Sequence, residues 1–191
     1  MSSPLSAKAT RRELNARQAE TVERVALAAR EELRAVGFDN LTIRTVASRA
    51  AVAPATAYTY FSSKNHLVAE IFWRRLVQRP HLEQNTDVPL DAVIAVFTDL
   101  VDFIADEPEL AAAVTSALLG PDPDVRELRV LIGREINNRI AAALGPESDP
   151  EVLDVLNMVW SGALLQVGMG HARVERMGER LAGVARLVMS K

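Results

Sequence analysis

The chain has 191 residues, enough to build one long domain or two small ones around a sizeable core. Apolar residues make up 49% of it and charged residues 25%, a balance typical of globular rather than disordered proteins. It has no cysteine, which excludes disulfides, thiol nucleophiles and thiolate metal sites and makes a reducing cytoplasm the expected location.

The charge is unevenly distributed along the chain. Residues 1–80 contain 13 Lys and Arg against 7 Asp and Glu, whereas residues 81–191 contain 9 against 18. A basic first part on an acidic body indicates contact with a polyanion such as nucleic acid, although a solvated basic face gives the same pattern. The most apolar stretch, 155–169, is shorter than the roughly 20 residues of a membrane-spanning helix, so we expect no membrane partner.

Helical periodicity follows a polar, basic arm at residues 1–16. Apolar residues then recur every three or four positions as far as Gly37, which is expected to end the first helix. The next three helices have good starting residues, namely Thr42, Pro54 and either Ser62 or Ser63. No stretch alternates as a strand does, so the predicted fold class is all-α with about nine helices. After the second at 43–50 and the third at 54–60, the later helices are expected at roughly 88–106, 108–119, 123–144, 149–169 and 172–190.

The short helices at 43–50 and 54–60 are joined by three residues, as in a helix-turn-helix. The second helix opens with small residues, and such a slim end fits the major groove. Arg44 is the one long side chain here that can contact a guanine with two donors, and Lys64 with its helix N-terminus can hold a phosphate. Hydroxyl or methyl contacts to DNA are expected from Ala55 or Ala57, Thr56, Thr59, Tyr58 and Tyr60. An aromatic ring at Tyr58 can also pack inside the unit.

Residues 17–72, and 37–67 most strongly, resemble the amino-terminal domain of the TetR family of bacterial regulators. The matching residues are Gly37-Phe38, Leu41-Thr42-Ile43, Val46-Ala47, Ala50-Ala51-Val52, Thr56, Tyr58-Thr59-Tyr60-Phe61, Ser63-Lys64 and Leu67. The resemblance implies base contacts by Arg44, Pro54, Ala55 and Thr56. It implies phosphate contacts by Thr42, Tyr58, Tyr60 and Lys64.

Four alanines depart from the family pattern. Ala51 stands where glycine is usual, which strains the turn if this residue needs a positive φ. Ala53 stands where serine is usual and therefore lacks an N-cap hydroxyl. Ala55 and Ala57 stand where glycine and leucine are common, and these two positions leave the base specificity open.

The resemblance also implies a homodimer on a palindromic operator, with a DNA-binding domain at 17–65 and a ligand-binding and dimerisation domain at 66–191. It further implies a small-molecule ligand that releases the DNA, and because the later helices are mostly apolar we predict that this ligand is hydrophobic or has an acyl chain. Candidate pocket residues are Phe97, Phe103, Met158, Trp160, Leu165 and Met169, although such a stripe is more often plain core. An intersubunit seam on the last helix is predicted at Val174, Met177, Leu181, Val184 and Val188.

The alternatives to a regulator are an enzyme and a non-specific DNA-binding protein. An enzyme is disfavoured because the sequence has no P-loop, no glycine-rich dinucleotide turn and no cysteine nucleophile. The histidines, His66, His81 and His171, lack metal-ligand spacing, so we expect no metal and no cofactor. A non-specific architectural DNA-binding protein is the remaining alternative, and the acidic body argues against it. The sequence therefore favours a ligand-responsive repressor.

Overall fold

The computed structural model describes residues 16–82, 88–169 and 171–190, and every regular element in these ranges is helical. This confirms the predicted all-α fold. The predicted arm lies outside the described residues except for Ala16. None of the described helices is long and apolar enough to cross a bilayer. The described residues form nine α-helices, namely α1 (Ala16–Asn40), α2 (Ile43–Arg49), α3 (Pro54–Tyr60), α4 (Lys64–Gln78), α5 (Pro89–Ala105), α6 (Pro108–Leu119), α7 (Pro123–Leu144), α8 (Pro150–Gly168) and α9 (Met177–Met189).

The described residues form two compact units. Unit 1 comprises 16–74 and 112–129, and unit 2 comprises 75–111 and 130–190. Helices α4, α6 and α7 each contribute residues to both units because the divisions fall within them. Unit 1 therefore contains more of the chain than the helix-turn-helix predicted at 17–65.

The helix-turn-helix of unit 1 is built on α1. Val22, Val25 and Leu33 form its buried face, and α2 and α3 pack against this helix and against each other. Gly37 has a φ of 72°, a left-handed conformation that glycine adopts without steric cost. The regular part of α1 thus ends at the predicted glycine, although the helical assignment continues to Asn40.

The turn between α2 and α3 contains a strained alanine. Ala51 has a φ of 53° and is the one residue other than glycine with a positive φ among those described. Its N–H donates to the Ser48 carbonyl, and the Val52 N–H donates to the Ala47 carbonyl, so the turn keeps its hydrogen bonds. A left-handed residue with a Cβ costs about 1–2 kcal/mol. The departure from glycine seen in the sequence is therefore a source of strain.

In unit 2, the carboxyl end of α4 is held by a buried arginine of α7. Arg139 is 4% exposed, and its guanidinium donates to the carbonyls of Leu76 at 3.0 Å and Arg79 at 2.7 Å. It also donates to the Glu135 carboxylate at 2.8 Å, which compensates its charge. The carbonyls that end a helix have no partner within it, and here a side chain from elsewhere in the sequence supplies one.

The strain at Ala51 predicts that Ala51→Gly stabilises the protein. We expect the free energy of unfolding to rise by about 1 kcal/mol, because relief of the left-handed strain exceeds the entropy that glycine adds to the unfolded chain. Urea denaturation followed by circular dichroism measures it.

The matched control is Ala35→Gly, at an exposed helical position of α1, which should lower the free energy of unfolding by about 1 kcal/mol. A lower stability for Ala51→Gly would show that this turn gains nothing from glycine.

Candidate DNA-binding surface

Helix α2 begins with a reciprocal capping pair that leaves Arg44 exposed. The Thr42 hydroxyl accepts from the Thr45 N–H at 3.1 Å, and the Thr45 hydroxyl oxygen accepts from the Thr42 N–H at 3.3 Å. Thr42 is thus the N-cap that the sequence predicts. Arg44 follows in the first turn of α2 and makes no hydrogen bond or ion pair with any described residue. Its guanidinium is therefore available to a partner outside the protein.

Helix α3 presents a slim and exposed leading end. Ala53 precedes it with extended backbone and no side-chain cap, as the absence of a serine predicts. Pro54, Ala55 and Thr56 are all exposed, whereas Ala57 is completely buried and offers no methyl group to a base. No side chain in the first turn of α3 is long enough to keep its backbone away from a groove.

The two tyrosines of α3 have different environments. Tyr58 is 45% exposed, so its ring and hydroxyl face solvent. Tyr60 is 8% exposed and contributes mainly to the core of unit 1. Thr59 is exposed, and its hydroxyl donates to the Ala55 carbonyl at 3.0 Å, leaving the oxygen free to accept. Of these three residues, Tyr58 and Thr59 are therefore exposed for contact with DNA, whereas Tyr60 is buried in unit 1.

Lys64 joins the start of α4 to the end of α1. Its Nζ donates to the carbonyls of Phe38 at 2.9 Å and Asp39 at 3.1 Å, and it lies 4.6 Å from the centre of the Phe38 ring. An ammonium has three N–H groups, so one remains for a phosphate. No sequence pattern identifies this role, because two of the partners are backbone atoms.

Part of the positive charge near α2 and α3 is neutralised within unit 1. Arg49 donates to the Glu32 carboxylate at 2.7 Å. Arg74 pairs with Glu70 at 2.9 Å and with Glu23 at 3.5 Å. Residues 1–80 therefore offer DNA fewer free cations than their 13 Lys and Arg, and the guanidinium of Arg44 is among those that remain available.

Two further contributors to unit 1, Asp122 and Asp124, were not predicted as site residues. Asp122 lies in the break between α6 and α7 and Asp124 in the first turn of α7, and their carboxylates accept hydrogen bonds from the two serines before α4. An aspartate before a helix signals an N-cap. Asp122 could have been recognised in this way, but its long-range partner could not.

The six predicted pocket residues do not form one cluster. Phe97 and Trp160 are buried, and their rings stack with centres 6.2 Å apart and an interplanar angle of 4°. Phe103 is also buried, and the guanidinium of Arg75 lies 5.3 Å from its centre. The other three, Met158, Leu165 and Met169, are exposed. Phe97 and Trp160 are therefore in direct ring contact inside unit 2.

The predicted seam on α9 belongs partly to the protomer's own core. Met177 and Leu181 are 2% and 1% exposed, because α9 packs against α5 within unit 2. Val174, Val184 and Val188 are partly exposed. The most exposed apolar residue of α9 is instead Leu187, at 75%. A groove of about 250 Å³ lies between α8 and α9, lined by Val159, Gly162, Ala163, Val167, Leu181 and Val184 among others.

Helix α8 was predicted to be buried on several sides, but only Leu156 and Trp160 are buried. Its opposite face exposes Met158, Leu165 and Met169. The last helix also differs from its predicted start at residue 172, because a 3₁₀ turn at Val174–Arg176 precedes it.

Solved structures of helical regulators share this fold. A TetR transcriptional regulator from Rhodococcus sp. RHA1 superposes with a TM-score of 0.73 at 20% identity, covering 92% of this chain and 99% of that one. Thermus thermophilus FadR, described as a TetR family transcriptional repressor in complex with lauroyl-CoA, gives a TM-score of 0.65 at 20% identity, covering 88% of this chain and 94% of that one. At these identities the likeness establishes the fold.

Sequence relatives establish the family. Residues 27–71 match the profile of bacterial regulatory proteins of the tetR family. Over 179 residues the chain is 45% identical to an uncharacterized HTH-type transcriptional regulator of Mycobacterium tuberculosis, covering 92% of this chain and 84% of the relative. The HTH-type transcriptional repressor KstR of Rhodococcus jostii is 26% identical over 135 residues, 68% of this chain and 64% of that protein. The assignment to a regulator rather than an enzyme is confirmed: this chain belongs to the TetR family and is a transcriptional regulator with a helix-turn-helix DNA-binding domain.

Proposed function

We propose that this regulator is a repressor that binds a palindromic operator as a homodimer and leaves it when a small hydrophobic molecule binds. The observation that carries the proposal is an exposed, unengaged Arg44 on the helix that packs against the slim, exposed start of α3. A helix of this kind enters the major groove with its first residues against the base edges.

Base recognition is divided between long and short side chains. Arg44 has the reach and the two parallel donors for O6 and N7 of a guanine. Ala55 and Thr56 are short, exposed and suited to the methyl group of thymine or to a single base edge. Tyr58 and Lys64 are assigned to phosphates, which fix the register without reading sequence.

The exposed apolar side chains of α8 and α9 support a homodimer. Met158 is 65% exposed, Leu187 is 75% exposed, and the groove between these helices is lined mainly by small and apolar residues, together with Gln166 and Arg180. Surfaces of this kind mark sites of protein association. A second copy related by a two-fold axis would cover them and would place two copies of α3 on one face of the DNA.

A ligand site is proposed beside the stacked rings of Phe97 and Trp160. The Trp160 Nε1 is buried and has no hydrogen-bond acceptor among the described residues. A buried, unpaired N–H costs about 1–3 kcal/mol, and a ligand oxygen would recover it. The lauroyl-CoA bound by Thermus thermophilus FadR is consistent with a hydrophobic ligand. Helix α4 ends in unit 2 and begins in unit 1, so displacement of its end is transmitted along one continuous helix.

Selection of duplexes from a random-sequence pool at one fixed salt concentration tests the proposal. We expect an inverted repeat that unrelated DNA does not displace. Equal displacement by unrelated DNA would indicate a non-specific architectural binder and would contradict the proposal.

Arg44→Ala should remove one specific base preference. We expect a loss of about 1–3 kcal/mol in binding at one symmetric G·C position of each half-site, with the other positions unchanged. Titration of single-base variants of the selected duplex against both proteins measures it. Uniform weakening across all variants would show that Arg44 contacts the backbone instead.

Lys64→Met should weaken binding to every duplex by a similar factor. We expect the slope of log affinity against log salt to fall by about one unit, because one phosphate contact is lost. The matched control is Lys64→Arg, which keeps the charge and should keep the slope. If Lys64→Met keeps the wild-type salt slope but has a lower thermal stability, Lys64 binds only the carbonyls of Phe38 and Asp39 and contacts no phosphate.

Leu187→Asp should separate the subunits without unfolding them. The side chain is exposed in the protomer, so we expect a folded monomer that binds the selected duplex far more weakly. Leu181→Asp is the contrasting variant, and it should unfold the protein because Leu181 is core. Sedimentation and circular dichroism distinguish the two. A dimer that survives Leu187→Asp would place the interface elsewhere.

A further inference from the structure

Two hydrogen bonds within unit 1 join the start of α4 to the break before α7. The Ser62 hydroxyl donates to Asp124 Oδ2 at 2.5 Å, and the Ser63 hydroxyl donates to Asp122 Oδ2 at 2.6 Å. Hydrogen bonds from a hydroxyl to a carboxylate are short and stronger than those between neutral groups. We call these four residues the serine–aspartate clasp.

The clasp brings the N-termini of two helices together. The Ser63 hydroxyl oxygen accepts from the His66 N–H at 3.0 Å and so caps α4, while Asp122 Oδ1 accepts from the Asp124 N–H at 3.0 Å at the start of α7. Each helix N-terminus carries a partial positive charge, and the two carboxylates neutralise both. The hydrogen bond between the caps therefore fixes one helix start against the other.

The aspartates themselves lie on a well-held turn. Arg129 of α7 donates to the carbonyls of Leu118 at 2.6 Å and Gly120 at 2.8 Å, which closes the end of α6. These hydrogen bonds hold residues 118–124, which in turn bind the residues at the start of α4. Lys64 lies in the first turn of α4, and its ammonium holds the end of α1.

We propose that the serine–aspartate clasp positions the start of α4 for DNA binding, so that Asp122 and Asp124 set the affinity for the operator without contacting DNA. Only the assignment of Lys64 and α3 to the DNA surface rests on the proposed function. Only Phe61 separates the end of α3 from Ser62 and Ser63, so loss of the clasp frees both the end of α3 and Lys64 to move. The residues act on binding through the backbone that they hold.

A competing effect has the opposite sign. Carboxylates near a DNA-binding surface repel phosphates, and on that ground alone removal of Asp124 would strengthen binding. Ser62→Ala breaks one half of the clasp without any change of charge. The neutral variant therefore isolates positioning from repulsion.

The test compares full-length variants on the duplex that the wild-type protein retains from a random pool, at a temperature well below unfolding. We expect Ser62→Ala to bind on the order of tenfold more weakly, with the same salt slope because no phosphate contact is lost. Ser62→Thr keeps the hydroxyl and should restore the affinity. Ser62→Ala combined with Asp124→Asn should bind no more weakly than the weaker single variant, because both remove one interaction.

The matched control is Ser116→Ala, an exposed serine of α6 in the same unit, which should bind as the wild type does. Wild-type affinity in Ser62→Ala, with or without a lower melting temperature, would overturn the inference and leave the proposed function intact. A reduced salt slope would also overturn it, because Ser62 would then contact a phosphate itself. Failure of the wild-type protein to retain any duplex would instead contradict the proposed function.

Discussion

The backbone groups at the two ends of α4 are the constraint on which the proposed mechanism depends. A helix leaves its first N–H groups and its last carbonyls without partners, and here long-range side chains supply them. At the start, Ser63 caps the helix and is itself held by Asp122. At the end, Arg139 donates to the carbonyls of Leu76 and Arg79. Because both ends are held, fraying of α4 is disfavoured, as the proposed mechanism requires.

Several charged side chains of unit 1 bind other parts of the protein. Arg49 and Arg74 are paired with carboxylates, and Lys64 is engaged with backbone carbonyls. The carboxylates of Glu32 and Glu70 are buried, and their pairing with Arg49 and Arg74 removes two cations from the DNA surface. In the proposed function, the DNA-binding surface therefore favours specific contacts over general attraction to phosphates. Under the same proposal, specific binding depends on the unengaged Arg44 and on the position of α3, which follows the strained Ala51 and the uncapped Ala53.

Local patterns in the sequence were sufficient for the fold. The spacing of apolar residues, with glycine and proline at the breaks, located nearly all the helices. Thr42 begins α2 and Gly37 ends the regular part of α1, as their chemistry predicts. The family pattern also identified Ala51 as a residue under strain if its φ is positive, and the structure has a φ of 53° there.

Contacts between distant residues could not be predicted in the same way. Helical spacing showed that Met177 and Leu181 share a face with Val184, but not that this face packs on α5 of the same protomer. Tyr58 and Tyr60 are two positions apart and similar in sequence context, yet only Tyr58 faces solvent. The pairing of Ser63 with Asp122 joins residues 59 positions apart, and no periodicity reports it. Tertiary packing decides which face of a helix is buried and which distant residues pair, and a single sequence does not reveal that packing.

The absence of cysteine allows one direct measurement of how α3 meets DNA. Thr56→Cys, labelled with a reagent that cleaves DNA close to its point of attachment, would report the position of the helix on a selected duplex. The proposed dimer predicts two symmetric clusters of cleavage in the major groove, with centres separated by about one helical turn or a multiple of it. Label at Ser161→Cys on α8 should produce neither cluster. A single cluster, or cleavage spread evenly along the duplex, would contradict recognition of a palindrome by two copies of α3.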